Sequence, residues 1–258
     1  MLKISALLVA TALSLSAEIQ EKVIDYADGD TALEGFYAHD PAVKSTGKAV
    51  LIVHQWTGLG ENEKMRARML ANLGYQAFAL DIYGKGVRPV PPAAGEFAGK
   101  YKGDRKLYRQ RLAAGLAQLK KLSGLAEKDI SAIGYCFGGT GVLEIARAGT
   151  PLAGVVSFHG GLGAADGMAA KKERVKTQIL VLHGADDPYV PAAEVTAFKK
   201  EIADAGADLT FVAYPDAVHA FTQEGAGDDN SKGAAYNALA DEKSWQAMRD
   251  FFDKVFAK

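Results

Sequence analysis

Residues 130–148 suggest a strand, a sharp turn and a helix in succession, and this succession restricts the fold more than any other feature of the chain. The apolar residues 130–133 predict a buried strand, and residues 140–148 are compatible with a helix. Between them lies Gly134-Tyr135-Cys136-Phe137-Gly138-Gly139, with glycines where side chains would collide with the flanking helix and strand. The pattern predicts a strained turn that presents the thiol of Cys136. A lone cysteine often serves as a small buried hydrophobic residue, so this turn alone does not establish that Cys136 is a nucleophile.

Strand-like and helix-like segments alternate along the whole chain. Residues 23–26 and 33–38 flank Asp28-Gly29-Asp30 and predict an antiparallel hairpin. The further predicted strands are 49–53, 76–82, 153–158, 179–182 and 209–214; the predicted helices are 61–73, 104–122, 192–205 and 243–256. A loop is expected at 87–102, which is rich in proline, glycine and alanine. The alternation favours a single α/β domain with a doubly wound, mostly parallel sheet, which binds ligands beyond the carboxyl ends of its strands.

Composition excludes several classes of function. The chain has 258 residues, a formal net charge of −1 and 48% hydrophobic residues, which is ample for one large core. This charge balance does not favour binding to nucleic acid or to an anionic membrane. One cysteine rules out an internal disulfide bond. We find no internal repeat and no cysteine–histidine metal cluster in the sequence, and therefore expect neither a metal nor another cofactor.

The amino terminus has the pattern of a secretory signal peptide. Lys3 supplies the positive charge, residues 4–15 are largely apolar, and Ser14-Leu15-Ser16 offers small residues for cleavage after Ser16 or Ala17. We therefore expect a signal peptide at 1–17, a hydrolase-like domain at 18–258, and a periplasmic or secreted mature protein. The apolar run is too short for a stable membrane anchor. The alternative is a hydrophobic helix or strand of the fold.

Polar residues with complementary chemistry follow three of the predicted strands. Cys136 follows one strand, Asp186 and Asp187 follow the next but one, and His219 follows the last. The order nucleophile, acid, histidine is one that hydrolytic enzymes use on parallel sheets. Cys136 would attack an acyl carbon, His219 would take and return the proton, and one aspartate would orient the imidazole. The residues alone do not choose between Asp186 and Asp187.

Backbone N–H groups near the turn are candidates for an oxyanion hole. We expect one donor from Phe137, at the start of a helix whose dipole also favours a thiolate. The second is expected from Trp56, in the loop after the first parallel strand. Five aromatic residues flank strand ends, where some line a pocket and others belong to the core: Trp56, Tyr83, Phe137, Tyr189 and Phe221. Three other histidines, which end apolar strands, are expected to hydrogen-bond backbone: His54, His159 and His183.

These motifs together resemble the dienelactone hydrolase family of the α/β-hydrolases. The resemblance runs from about Val23 to the carboxyl terminus. It is carried by the turn around Cys136 and by Asp81-Ile82-Tyr83-Gly84, His183-Gly184-Ala185-Asp186-Asp187-Pro188-Tyr189-Val190-Pro191 and His219-Ala220-Phe221. It implies an α/β-hydrolase fold and hydrolysis of esters or lactones. It also selects Asp187 as the acid, because the family's acid lies three residues after the glycine.

Two positions depart from the family pattern. The best-known members have a glutamate after the first parallel strand, which interacts with the resting thiol, and Gln55 occupies that position here. They also have an arginine four residues after the catalytic histidine, which binds the substrate carboxylate, and this chain has Gln223. A glutamine carries no charge, so we expect a standing pair of Cys136 and His219 and a substrate other than dienelactone. Arg88 and Arg105 are alternative cations that the sequence does not place.

Four functions are compatible with this reading of the sequence. The first is an esterase or lactonase that acts through a thioester and favours activated acyl groups. The second transfers the acyl group to an acceptor other than water. The third is a ligand-binding protein on a hydrolase scaffold, although a binder does not need all three reactive side chains. The fourth is an exported redox sensor based on Cys136, without a resolving cysteine. The expected partner is a small ester or lactone, and the expected state is a monomer or homodimer.

Overall fold

One sheet of eight strands organises the molecule, and its carboxyl-terminal edge is where the candidate site lies. The computed structural model describes residues 18–257, so the expected signal peptide at 1–17 lies outside the described residues. The strands are β1 (Gln20–Asp28), β2 (Thr31–His39), β3 (Ala49–Val53), β4 (Gln76–Leu80), β5 (Ile130–Tyr135), β6 (Gly154–Phe158), β7 (Gln178–Gly184) and β8 (Leu209–Tyr214). Their order is β1-β2-β4-β3-β5-β6-β7-β8. β1 and β2 form the expected hairpin, β2 is antiparallel to β4, and the other neighbours are parallel.

Helices cover both faces of the sheet, as expected for a doubly wound fold. They are α1 (Glu61–Ala71), α2 (Ala93–Gly103), α3 (Arg105–Ser123), α4 (Phe137–Ala148), α5 (Ala192–Asp204) and α6 (Ala238–Phe256). α1 and α6 bury their apolar residues in one core, and the other four helices bury theirs in a second core across the sheet. Every residue of β3, β5, β6 and β7 is buried, which explains their continuous apolar runs. The expected single-domain α/β fold is therefore confirmed.

Helix α2 corrects the loop that was expected at 87–102. Pro92 precedes the first turn, where a missing N–H costs nothing, and three residues at helical spacing face the core: Ala94, Ala98 and Tyr101. Gly95 and Gly99 lie on the open side of the helix, where an added Cβ would meet nothing within 4 Å. The sequence did not predict this short amphipathic helix, because glycine and proline are typical of loops and the buried stripe consists mainly of alanine.

The strand order reverses beside β3, and this reversal fixes where a ligand can enter. β3 lies between β4 and β5, so the chain leaves β3 towards one side of the sheet and leaves β5 towards the other. A crevice forms at the carboxyl ends of strands at such a point. Gln55 and Trp56 follow β3, and Cys136 follows β5. Between residues 18 and 257, no helix is both long enough and apolar enough to span a bilayer.

Candidate active site

The turn between β5 and α4 holds Cys136 in a strained conformation. Its φ of 53° and ψ of −112° lie outside the regions that ordinary residues favour. A Cβ on Gly134 would lie 2.1 Å from the Gly138 carbonyl oxygen, and a Cβ on Gly138 would lie 2.1 Å from that of Val53. Both contacts are with backbone, which cannot move aside. The glycines therefore allow strand and helix to approach closely enough for the side chain of Cys136 to project from the turn.

Asp187 and His219 come together at the same edge of the sheet. The Nδ1–H of His219 donates to Oδ2 of Asp187 over 2.8 Å, and the other carboxylate oxygen accepts the N–H of Tyr189 over 2.9 Å. Asp187 is buried, whereas Asp186 is exposed and makes no side-chain contact with the ring. The backbone N–H and carbonyl of His219 are both hydrogen-bonded, to Gly233 and Ala235 respectively. These bonds fix the ring with Nε2 free to face the thiol.

The thiol and the imidazole shift each other's pKa in opposite directions. Burial opposes the charge of Cys136, but the hydrogen bond and charge of His219 outweigh it, so the pKa of the thiol falls below its ordinary value. Burial also opposes the charge of His219. The hydrogen bonds to Asp187 and Cys136 outweigh that effect and raise the pKa of His219 to about 10. The pair therefore favours thiolate and imidazolium over thiol and imidazole.

Two backbone N–H groups are candidates for the oxyanion hole; the first interacts with the Cys136 sulfur, and the second has no acceptor among residues 18–257. They belong to Phe137, the first residue of α4, and to Trp56 in the loop after β3. In each case a buried tyrosine holds the next peptide unit along the chain. The hydroxyl of Tyr108 donates to the Phe137 carbonyl over 2.8 Å, and that of Tyr83 donates to the Trp56 carbonyl over 2.9 Å. The two donors are thus presented on a rigid support.

Glu63 holds the loop that carries Gln55 and Trp56, and the sequence reasoning missed this role. Its carboxylate accepts the N–H of Gly60 over 2.8 Å and that of Gln55 over 3.3 Å. Complete burial raises the pKa of Glu63, which the two N–H donors partly offset. A glutamate in the first turn of α1 was the available signal, since that position often caps a helix.

A cleft of about 570 Å³ surrounds the thiol and the imidazole. Its lining includes both reactive side chains, Gln55, Trp56, Tyr189 and Gln223. Tyr189 is 61% exposed and lies edge-on to the His219 ring, 5.4 Å away between centroids. The other three aromatic candidates are buried in the core and do not line the cleft: Tyr83, Phe137 and Phe221. The end of a strand thus identified the neighbourhood of the site but not the direction of each side chain.

Two of the other strand-end histidines, His54 and His159, bond backbone as expected, whereas Nδ1 of His183 is buried without a hydrogen-bond partner among residues 18–257. His54 contacts the Gln55 carbonyl through Nδ1 and accepts the Ile82 N–H at Nε2. Nδ1 of His159 accepts the N–H of Cys136 over 3.2 Å, and its Nε2 lies 2.8 Å from the hydroxyl of Thr222. Burial first, and then the charge of His219, lowers the pKa of His159 well below its ordinary value. Among the described residues, no three histidine, cysteine, aspartate or glutamate side chains form a metal site.

Lys102 supplies the positive charge that lines the cleft, and the sequence analysis did not single it out. It comes from α2, makes no ion pair within residues 18–257, and lowers the pKa of Cys136 through its charge. Arg88 and Arg105, the two alternatives, lie elsewhere. Arg88 pairs with Glu34, and buried Arg105 donates to the Gly163 carbonyl. Lys102 escaped notice because α2 itself was not predicted.

Comparisons with known proteins agree with this fold. The sequence profile of the dienelactone hydrolase family matches residues 33–256. A solved structure described as a dienelactone hydrolase-like promiscuous phosphotriesterase from metagenomic libraries is 35% identical, with a TM-score of 0.85, and the match covers 92% of this chain and 98% of that one. A Saccharolobus solfataricus protein with the provisional name carboxymethylenebutenolidase is 26% identical over 91% of this chain and 99% of its own. An acylaminoacyl peptidase from Pyrococcus horikoshii, 14% identical over 93% of this chain and 42% of its own with a TM-score of 0.64, shares the fold.

Proposed function

The chain belongs to the dienelactone hydrolase family and is a hydrolase of ester bonds, and from that premise we propose that it acts through a thiol. The proposed reaction is hydrolysis of activated carboxylic esters or lactones. Cys136 is the nucleophile, His219 the general base and acid, and Asp187 the residue that orients His219. The observation that carries the proposal is the position of His219, which bonds Asp187 through one ring nitrogen and interacts with the Cys136 thiol through its other side.

The first half of the reaction forms a thioester. The Cys136 thiolate attacks the acyl carbon, and the carbonyl oxygen becomes an oxyanion near the N–H groups of Phe137 and Trp56. The carbon–oxygen bond to the leaving group then breaks, and the His219 imidazolium gives that oxygen its proton. The product alcohol departs, or in a lactone it stays attached to the acyl group. Asp187 stabilises the charged ring before this transfer.

The second half of the reaction releases the acid. Neutral His219 takes a proton from water while that water attacks the thioester carbon, and the same two N–H groups stabilise the new oxyanion. The carbon–sulfur bond breaks and returns the thiolate beside the imidazolium. Thiolate is a good leaving group, so the first tetrahedral intermediate returns to substrate unless the alcohol also leaves readily. Aryl esters, enol lactones and thioesters are therefore favoured over alkyl esters and amides.

The presence of glutamine rather than glutamate at position 55 favours a thiol that is already ionised in the resting enzyme. The cleft holds no carboxylate at this position, and none lines it among residues 18–257. The partner of the resting thiol is therefore His219, whose charge lowers the pKa of Cys136. A Gln55→Glu substitution would put a negative charge beside the thiolate and would raise the thiol pKa. The pH profile of that variant would shift towards higher pH, and an unchanged profile would place Gln55 outside the reaction.

Turnover of an ester panel by wild type and Cys136→Ala tests the proposal directly. The panel contains aryl acetates, thioesters and lactones, with dienelactone included. We expect hydrolysis by wild type and a loss of at least about a thousandfold in Cys136→Ala, whose stability in urea stays close to wild type. Hydrolysis that persists in Cys136→Ala, or that is absent from both proteins, would contradict the thiol mechanism and favour the binding or sensor functions.

Acyl transfer is tested in the same assay. A primary alcohol or thiol is added at increasing concentration, and the products are separated. Hydrolysis alone gives free acid at a constant yield, whereas transfer gives a new ester or thioester at the expense of the acid. Because both reactions share the thioester, they share the dependence on Cys136.

Phosphotriester hydrolysis is a second candidate activity. It is favoured by the 35% identity to a solved protein whose description names it a promiscuous phosphotriesterase. The thiolate would attack phosphorus and displace an aryl oxygen, and water would then release the phosphodiester. An aryl dialkyl phosphate added to the panel tests this, because turnover would give a burst of phenol that is absent from Cys136→Ala.

Export of the protein is a further part of the proposal. It rests on the charged, apolar and small-residue segments at 1–17. Expression of residues 1–258 in a Gram-negative host, followed by fractionation and amino-terminal sequencing, tests it. A mature protein that begins at Ala17 or Glu18 in the periplasmic fraction is expected. An intact Met1 in the cytoplasmic fraction would exclude export in that host.

A further inference from the structure

We propose that a second cleft, next to the catalytic one, binds one limb of an extended and uncharged ester substrate. This outer cleft has a volume of about 520 Å³ and lies between α1, the segment after His219 and the start of α6. The inference rests on the proposed esterase function and specifies the kind of substrate on which that function acts.

Three shared residues make the two clefts neighbours. Gln55, Gln223 and Gly225 line both the catalytic cleft and the outer cleft. Gln55 precedes Trp56, which offers an oxyanion donor, and Gln223 follows His219 by four residues. A substrate whose carbonyl lies at Cys136 therefore has a path between these two glutamines. A small lactone fills only the catalytic cleft, whereas a longer ester reaches both.

The neck between the two clefts, formed by Gln55 and Gln223, offers a free hydrogen-bond donor. Nε2 of Gln223 is buried and has no acceptor among residues 18–257. A buried amide donor without a partner costs free energy, and an oxygen atom of a bound substrate would remove that cost. The limb that passes the neck therefore fits best if it carries a carbonyl or ether oxygen close to the reacting group.

Methionines give the outer cleft an adaptable apolar wall. Met65 is 41% exposed although it is a large apolar residue, and Met69 lies one turn further along the same face of α1. Methionine side chains are flexible and polarizable, so they accommodate apolar groups of varied shape. The polar neck and the apolar wall together fit an acyl or alcohol chain of several carbon atoms.

The charges around the outer cleft exclude an anionic limb. Three carboxylates line it: Glu61 pairs with Lys64 over 2.8 Å, Asp241 pairs with Arg66, and Glu224 makes no ion pair within residues 18–257. The guanidinium of Arg66 is already committed, because it bonds Asp241 and the Thr222 carbonyl, each over 2.9 Å. An anionic group would meet net repulsion there. The limb in the outer cleft is therefore neutral, and the positive charge of Lys102 lies in the catalytic cleft instead.

A chain-length series with a blocked outer cleft tests the inference. The substrates are aryl acetates and aryl octanoates, and acetates of phenol and of a long alkylphenol, so that each limb is lengthened separately. We expect Met65→Trp to lower the ratio of kcat/KM for long over short substrates by about tenfold or more in one of the two series. Val23→Trp is the matched control, since Val23 is 62% exposed on β1. We expect it to leave kcat/KM unchanged for both the long and the short substrates.

Limb charge provides a second comparison with the wild-type enzyme alone. An octanoate and an eight-carbon acyl group with a terminal carboxylate have similar length but differ in charge. We expect the neutral ester to have a kcat/KM at least about tenfold higher, because a single contact of this kind is worth about that factor. Equal or better turnover of the carboxylated ester would overturn the inference.

The outcomes separate the inference from the function on which it rests. Cys136-dependent hydrolysis of aryl acetate, with the same long-to-short ratio in wild type and Met65→Trp, would overturn the outer cleft and leave the esterase intact. Absence of Cys136-dependent hydrolysis on every substrate would overturn both. A lowered ratio in Met65→Trp, together with wild-type behaviour of Val23→Trp, supports the outer cleft.

Discussion

At the scale of the residue, the proposed chemistry depends on how three charges are placed around one sulfur atom. His219 lies beside the thiol of Cys136, Asp187 lies behind His219, and Lys102 lies at the cleft wall. Asp187 stabilises the positive ring, and the ring and Lys102 stabilise the negative sulfur. The pKa shifts of the thiol and of the imidazole are thus two consequences of one arrangement.

Alkylation of Cys136 across pH measures the thiolate directly. Iodoacetamide reacts with thiolate, so the rate falls as pH drops through the pKa of the thiol. In wild type that pKa lies below its ordinary value, and alkylation therefore continues at lower pH. In His219→Ala the largest stabilising contact is gone, and we expect the inflection to move upward by one unit or more, on the order of the effect of a nearby opposite charge. Because Cys136 is the single cysteine of the chain, no other thiol contributes to the measured rate.

Lys102 has a smaller effect on the same titration. Its contribution to the pKa of Cys136 is electrostatic and follows the hydrogen bond and the charge of His219 in size. We therefore expect Lys102→Gln to move the alkylation inflection upward, but by less than His219→Ala, and the shift to shrink at high salt. Lys100→Gln is the matched control on the same helix, since Lys100 does not line the cleft. Equal shifts in the two lysine variants would remove Lys102 from the site.

Individual site residues differed in how well the sequence could place them. Cys136, Asp187 and His219 follow parallel strands, and the carboxyl ends of parallel strands meet at one edge, so their proximity was predictable. Phe221 also follows the last strand but points into the core, because the turn that carries it decides the direction of the side chain. Lys102 depends on how α2 packs, which is a tertiary property and leaves no local signal.

At the scale of the element, the glycines around Cys136 differ from those of α2 in whether the structure requires them. Gly134 and Gly138 are required by close backbone contacts, while the glycines of α2 have open space beside them. The helix α4 starts immediately after Cys136, at Phe137, so its first N–H groups point towards the thiol. Any displacement of this helix start moves both the proposed nucleophile and one proposed oxyanion donor.

Alanine substitutions at Gly138 and Gly99 distinguish a glycine that close packing requires from one that it does not require. A Cβ at Gly138 would lie 2.1 Å from the Val53 carbonyl oxygen, so we expect Gly138→Ala to lower the free energy of unfolding by about 3 kcal/mol or more. Gly99 lies inside α2 with nothing near its Cβ, and Gly99→Ala is expected to raise that free energy by about 0.5–1 kcal/mol. Urea unfolding measures both. Similar changes of the same sign would contradict the steric explanation.

Elements with strong patterns were predictable, and the one hidden by composition was not. β3 and β8 have the predicted bounds, because a continuous or alternating apolar run ends sharply at polar residues. α4 begins three residues before the predicted start at Thr140, since the glycines that weaken helix propensity are kept there for close packing. α2 was missed for the related reason that its composition is typical of a loop. Tertiary packing overrode local propensity in both helices.

At the scale of the whole molecule, buried ion pairs connect helices on both faces of the sheet. On one face Arg66 of α1 bonds Asp241 of α6 and the carbonyl of Thr222, close to His219. On the other face Arg147 of α4 bonds Glu144 on the same helix and Glu201 of α5. The Arg66–Asp241 and Arg147–Glu201 pairs join helices that are distant in sequence, so they stabilise the arrangement of helices around the sheet rather than a single helix.

The pair of Arg147 and Glu201 gives the molecule a specific sensitivity to acid. Burial opposes the charge of Glu201, but Arg147 outweighs it, and the pKa of Glu201 falls below its ordinary value. A carboxyl whose folded pKa is lowered contributes stability above its unfolded pKa, and that contribution is lost as pH falls through the folded pKa. Stability from this pair is therefore present at neutral pH and decreases below about 4.3.

Replacement of Glu201 removes this contribution and leaves Arg147 with fewer partners. At neutral pH we expect Glu201→Gln to lower the free energy of unfolding by about 2 kcal/mol, since a charged hydrogen bond at a buried guanidinium is lost. As pH falls below 4, the wild type loses the same contribution, and the two curves converge. Glu96 is exposed on α2, and Glu96→Gln is the control. Its free energy of unfolding is expected to stay within about 0.5 kcal/mol of wild type at every pH. A constant gap between wild type and Glu201→Gln from pH 7 to pH 3 would show that the carboxylate charge does not stabilise the fold, and that the loss at neutral pH comes from packing.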